Sequence, residues 1–387
     1  MTMYYKYRAF SELSIKELLY SELYFATRQE NNDPFDSKTF YKFASNQKYW
    51  LNLIKIISSK FVGFTDNDLL SIATKLSARC PMSYEQVSSL DITQLIFDSI
   101  EIKDFLKSAL FAQQFKNTID LYAPEESYFS CFSKVVDEPL IWSHYAANHQ
   151  GFCLIFKPIN GQLNQHPIHR RTEISRKTPN GLGPSMGMGL PESFRFHEVE
   201  YQDNVEHLCA FCLLPIGVTK LNLTEEEIIE LNSKQSSQYI QKHRSWKYEQ
   251  EVRLYFTPYS SYLFGQKIGL TKQERLFNYD PSQLVGIVFG AQMSVENKQR
   301  LREVINEVLH RREFQKQNKR VLFDFMVFQA ELSSQQRNLD IKPVELLTSA
   351  FNYTPDSPEF ERMYSDWKKG IGLEVSGNSA SKVTIAS

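Results

Sequence analysis

From Thr39 to Leu121 apolar residues return at intervals of three and four, while the segments on either side are short, aromatic and β-prone. Trp50, Leu53, Ile54, Ile57 and Phe61 set the pattern, and Leu69, Ile72, Leu76, Ile96, Phe105, Leu110 and Phe115 extend it. That is the period of amphipathic helices. A helical stretch set between strand signals requires any sheet to be assembled from both ends of the chain. The spacing predicts an α+β fold: a mixed, split β-sheet with flanking helices, built by residues 1–38 and 122–333, with an α-helical insertion over residues 39–121. Strands are expected at Tyr4–Arg8, Leu23–Ala26, Tyr128–Ser133, Phe152–Phe156, Glu198–Tyr201, Val252–Phe256, Leu284–Phe289 and Val321–Phe328. Helices are expected at Ser11–Tyr20 and, from the stripe Leu301, Val304, Ile305, Val308 and Leu309, after Gly290.

Composition narrows the class. The chain has 387 residues, enough for one elaborated domain or two. Its 44 Lys and Arg against 45 Asp and Glu give a net charge of −1, so no global field selects nucleic acid or an anionic membrane. No window approaches the run of apolar residues a membrane span needs, and the first residues lack a signal-peptide pattern. Five scattered cysteines suit a reducing cytoplasm. Cys209 and Cys212 have zinc or redox spacing, but His207 is the only further ligand nearby; the reading is an apolar pair and no metal.

Residues 159–193 are rich in Gly and Pro and carry no apolar period. They read as a mobile loop whose removal from Gln162 to Met188 leaves the fold intact. Residues 334–387 form a C-terminal extension with a frayed, disordered tail from about Gly370.

Four segments embed polar residues where strands or strand ends are expected: Tyr5-Lys6-Tyr7-Arg8, Ser130-Cys131-Phe132-Ser133, Trp142-Ser143-His144-Tyr145, and the run from Trp246 to Arg253. Half-buried polar groups need partners, so such a cluster is either a satisfied core network or a site. The motifs YKYR, LYFAT, NDPFD, CFS, DEPLIWSHYAANHQGFCLIF, VEYQD and W-x-YEQEVRLYF, with a strand closing in FG, resemble the bacterial domain-of-unknown-function 2971 family. The resemblance runs from Tyr4 to about Arg302, apart from the helical insertion and the Gly/Pro segment. It brings no activity with it.

Glu249 and Glu251 are the sharpest chemical feature, since two carboxylates two residues apart on a strand project to one face and perturb each other's ionisation. A cation on the first strand, hydroxyls on a later one and Glu-x-Glu on a third are similar in order to ADP-ribosyltransferases. That similarity implies NAD as substrate and an unknown acceptor, protein or nucleic acid, as expected of a toxin or antiviral defence effector. In it Arg8, with Lys6 and Tyr7, faces the NAD phosphates or ribose, and Ser130 or Ser133 holds the nicotinamide ribose. Glu251 bonds the ribose hydroxyl and stabilises the oxocarbenium-like transition state, and Glu249 orients the acceptor. His144 is the expected general base, and Trp142 or Trp246 the stacking platform. Two rivals stay open: a metal-dependent nuclease or hydrolase using Asp33, His144, Glu249 and Glu251, and a non-catalytic protein whose helical insertion binds a partner.

Overall fold

A computed structural model describes residues 3–124, 126–176, 186–215, 224–258, 269–314, 324–348 and 351–368. Ten strands form one sheet: β1 (Tyr4–Arg8), β2 (Tyr128–Ser133), β3 (Phe152–Phe156), β4 (Gln162–Asn164), β5 (Ser193–Glu198), β6 (Glu251–Phe256), β7 (Leu284–Phe289), β8 (Phe325–Leu332), β9 (Leu339–Leu347) and β10 (Asn352–Tyr353). Their order is β10-β9-β8-β7-β3-β1-β2-β6-β5-β4. Neighbours are antiparallel except β7 and β8, which run parallel. A parallel pair needs a crossover, here containing the helix Val295–Phe314. The sheet is therefore mixed.

The central strands are covered on both faces, which is why β3 and β7 are apolar throughout and buried at every residue. Alternation sends Phe152, Leu154 and Phe156 to one face, against Ile15 and Leu18 of helix α1 (Glu12–Leu19) and Leu301 and Ile305 of the crossover helix. Cys153 and Ile155 point the other way, toward Ile141 and Trp142, and toward Phe360 and Met363 of the helix Phe360–Lys368. Gly151 sits just before β3, and a Cβ there would collide with the Arg8 carbonyl, so glycine lets the ends of β1 and β3 close together.

A second core lies in the helical stretch. Helices α2 (Gln47–Ser58), α3 (Asp66–Ser77), α4 (Tyr84–Ser89), α5 (Ile92–Ser99) and α6 (Phe105–Leu121) bury Trp50, Ile54, Ile72, Phe111 and Phe115 together. Side-chain caps begin them: Asn46, Thr65, Ser83, Asp91 and Asp104 each accept from first-turn amides. The core is closed by Leu208 and Phe211 from far along the chain. Tyr41–Phe43 and Met82–Ser83 inside this stretch are strands, in a three-stranded sheet with Leu208–Cys209.

Other local expectations change as well. Trp142 to Tyr145 lie in helix α7 (Pro139–Tyr145), because Pro139 opens it and the Glu138 carboxylate accepts from Leu140 N–H. Glu249 ends a 3-10 turn, Arg244–Glu249, and precedes a left-handed Gln250, so Glu249 and Glu251 do not share a strand. The segment 159–193 is not a loop throughout: β4 joins the main sheet, and Glu173–Arg176 pairs with Met186–Gly189. Its residues 177–185 lie outside the described residues, as does the tail from 369. The last predicted strand starts at Phe325, residues 321–323 being undescribed.

Candidate active site

The sheet is split where β1 meets β2. β1 pairs with β3 along its whole length and β2 with β6 along its whole length, yet β1 and β2 share one registered pair, Tyr5 with Ser133. Beyond it the outer edge of β2 is taken by Ala26, whose amide and carbonyl exchange bonds of 2.7 and 2.9 Å with Phe129. The strands splay between these points. Lys6 bridges the gap, donating to Ser130 Oγ at 2.8 Å and to the Cys131 carbonyl at 3.1 Å.

A pocket of about 370 Å³ opens on the splay, within the usual range for small-molecule sites. Lys6, Tyr7, Arg8, Ser130, Ser133, Trp246, Glu249 and Glu251 all border it, joined by Glu17, Tyr24, Asn32, Asp33, Asp36, Tyr145 and Lys242. Arg8 at its rim pairs with Glu17 of α1 at 2.9 Å. Burial, reinforced by the charge of Arg8, pulls the Lys6 ammonium down to about 7. Ser133 serves structure: its hydroxyl donates to the Glu249 carbonyl at 2.6 Å and accepts from Val135 N–H at 3.0 Å. The Tyr7 hydroxyl donates to the Val135 carbonyl at 2.8 Å.

The opposite wall is a buried ion network. Lys242 Nζ lies 2.6 Å from Glu249 Oε2, 2.8 Å from Glu251 Oε2 and 3.9 Å from Asp36 Oδ2. Arg253, fully buried, donates Nε to Glu251 Oε1 at 2.7 Å and grips both oxygens of Asp36 at 2.8 and 3.1 Å. The Tyr145 hydroxyl donates to Glu249 Oε1 at 2.7 Å, and Glu251 N–H donates to the Tyr201 hydroxyl at 2.7 Å. Burial would raise the Glu251 carboxyl, but Arg253 and Lys242 outweigh it and hold it well below the carboxylate range. Glu249 is shifted upward instead, by burial and by the Glu251 charge, against the pull of Lys242. The Lys242 ammonium lies between Glu249 and Glu251, where a shared metal ion would have to sit. Among the described residues no group of three or more His, Cys, Asp or Glu could hold a metal.

Two expected site residues fall elsewhere. Trp142 is buried on the far side of β1, packed edge-on to Tyr7, with Nε1 donating to the Val136 carbonyl at 2.7 Å. It offers no stacking face. His144, two residues further along the helix, is exposed and outside the pocket, with its ring 6.2 Å from that of Trp246. On a strand Trp142 and His144 would share a face; two positions apart on helix α7 they point about 200° apart. Trp246 keeps its place, half-buried, with Lys242 Nζ 4.8 Å from its ring centre.

Asp36, Tyr145, Tyr201, Lys242 and Arg253 escaped the sequence reading as site residues. Asp36 closes the NDPFD motif and Arg253 the EVR of the Glu-x-Glu run, so a signal existed for both. Lys242 had none, since its strand is two residues long, Gln241–Lys242.

Neither curated proteins nor solved structures give a match to the chain. The family model described as "Protein of unknown function (DUF2971)" matches residues 141–254. That stretch includes Tyr145, Lys242, Trp246, Glu249, Glu251 and Arg253, whereas YKYR, NDPFD and CFS, which supply the other half of the pocket, precede it. Through residues 141–254, then, the chain is similar to the DUF2971 family.

Proposed function

We propose that the split-sheet pocket binds NAD and that the chain is an ADP-ribosyltransferase-like, NAD-consuming enzyme. One observation carries the reading: the pocket is asymmetric in charge, with Lys6 and the Glu17-paired Arg8 on one wall and a carboxylate network of net negative charge on the other. NAD has matching polarity, because its pyrophosphate is anionic while its nicotinamide ribose gains positive charge as the glycosidic bond opens. With all groups ionised, Asp36, Glu249 and Glu251 carry three negative charges against the two positive charges of Lys242 and Arg253. The remaining negative charge favours an oxocarbenium-like centre.

Arg8 and Lys6 pair with phosphate oxygens, and the Ser130 hydroxyl contacts ribose. Both Glu251 oxygens are engaged by cations, so Glu251 is a positioning residue that fixes Lys242 and Arg253. Glu249 takes the reacting role. The C1′–N bond breaks with its electron pair going to nicotinamide. Water or an acceptor nucleophile then bonds to C1′ and gives its proton to Glu249. Trp246 and Tyr145 supply aromatic surface at the mouth. Five free cysteines and a soluble dinucleotide substrate suit a cytoplasmic setting, and NAD consumption suits a toxin or antiviral defence effector.

Calorimetric titration with NAD, with chromatographic measurement of released nicotinamide, tests the reading. Wild type is expected to bind and release nicotinamide, and Arg8→Ala to bind at least tenfold more weakly. A wild type that neither binds NAD nor releases nicotinamide overturns it.

A further inference from the structure

The pair Cys209 and Cys212 lies outside the pocket and has no part in the proposed chemistry. Cys209 ends the short strand Leu208–Cys209 and caps the 3-10 turn Ala210–Leu213 that contains Cys212. Cys209 holds the N-cap in extended backbone and Cys212 the third position of the turn, the two positions whose side chains meet at a helix start. The Cys212 thiol and the amides of Phe211 and Cys212 all act on the Cys209 sulfur to favour its thiolate. The buried Leu208 and Phe211 side chains anchor the turn in the helical core, while both cysteines keep partial exposure. Across the parallel ladder Cys209 stands in register with Lys42.

We propose that Cys209 and Cys212 are a redox-active dithiol, oxidised to an intramolecular disulfide by a small-molecule disulfide. The neighbouring Cys212 thiol and the backbone amides lower the Cys209 thiol to about 6, whereas burial raises Cys80, Cys131 and Cys153. Cys209 is thus the thiolate available to attack. It bonds to one sulfur of the oxidant, whose S–S bond breaks and releases a thiolate. Cys212 gives its proton to that thiolate, and its sulfur attacks the Cys209 sulfur of the mixed disulfide. The second half of the oxidant leaves as a thiolate and takes up the proton that Cys209 had released to solvent. The protein has lost two hydrogens and two electrons, and the oxidant has gained both.

The reduced full-length chain is incubated with oxidised glutathione, quenched into denaturant with maleimide, and read by intact mass and peptide mapping. Wild type is expected to fall from five labelled thiols to three, with a Cys209–Cys212 bond that dithiothreitol reverses. Cys212→Ser is expected to trap glutathione on Cys209, and Cys209→Ser to leave Cys212 free under the same conditions. Five labelled thiols in oxidised wild type, a bond to any other cysteine, or equal glutathionylation of the two variants overturns the proposal. The wild-type map decides the question even if a variant does not fold.

Discussion

Replacing Glu251 by Gln separates architecture from chemistry at the carboxylate pair. Both Glu251 oxygens face groups that can only donate, Arg253 Nε and Lys242 Nζ. An amide in that place must turn its NH₂ toward one of them, whichever way it is flipped. One buried cation then loses a partner and meets a donor, which costs about 3–5 kcal/mol. That is a large share of the roughly 5–15 kcal/mol by which a folded domain is stable. Glu249→Gln differs. Its Oε2 faces Lys242, but its Oε1 faces the Tyr145 hydroxyl, which can accept as well as donate, so a Gln keeps both contacts. It also removes the excess negative charge of the network, and the loss should stay within about 1 kcal/mol. Urea unfolding followed by circular dichroism, alongside nicotinamide release, reads both variants. Glu251→Gln should unfold several kcal/mol earlier. Glu249→Gln should hold its midpoint while turnover falls about 10²-fold. The pH dependence of stability has a definite sign, because the folded Glu251 carboxyl lies well below its unfolded value of roughly 4.3. Its contribution is complete above that value and is lost as pH falls through the lower folded one, so the deficit of Glu251→Gln should be constant from pH 5 to 8 and shrink in stronger acid. Equal midpoints for Glu251→Gln and wild type, or a larger deficit in Glu249→Gln, would refute the assignment of the two carboxylates.

Lys6 gives a second pH effect of opposite origin. Its folded pKa of about 7 lies below the roughly 10.4 of the unfolded chain, so the unfolded state binds more protons between these values and this residue's contribution to stability rises with pH from 7 to 9; unfolding midpoints of wild type should show that slope and those of Lys6→Met should lack it. His144→Ala should leave nicotinamide release within about twofold of wild type, since the ring is outside the pocket, and a hundredfold loss would restore its catalytic role. Trp142→Ala should destabilise by about 3–5 kcal/mol through the cavity it leaves, measured by urea unfolding. Deleting Gln162 to Met188 removes β4 and the buried Gln165 and His166, so cooperative unfolding should be lost; an intact transition would show the segment to be dispensable.

How far the sequence could be read depends on where each interaction closes. The strands β1, β2, β3 and β7 were legible because aromatic and β-branched residues in runs of five or six have few alternatives, and the helices of the second core because three-to-four spacing survives without knowledge of partners. Helix α7 was missed although its start was written in Glu138-Pro139; the aromatic content of Ile-Trp-Ser-His-Tyr outweighed a capping signal that the structure obeys. The pocket was half legible. Lys6, Arg8, Ser130, Glu249 and Glu251 stood out as polar residues in apolar surroundings, and all of them border the cavity. Their partners did not stand out, because a buried charge is satisfied in space: Lys242 is tied to Asp36, and Arg253 to Asp36 as well, across more than two hundred residues. That distance also explains the reversal of roles at the Glu pair. From spacing alone the two carboxylates are equivalent neighbours that repel. Once Arg253 and Lys242 are in place, Glu251 is neutralised on both oxygens, and the negative charge left over falls to Glu249, whose second oxygen meets a tyrosine hydroxyl.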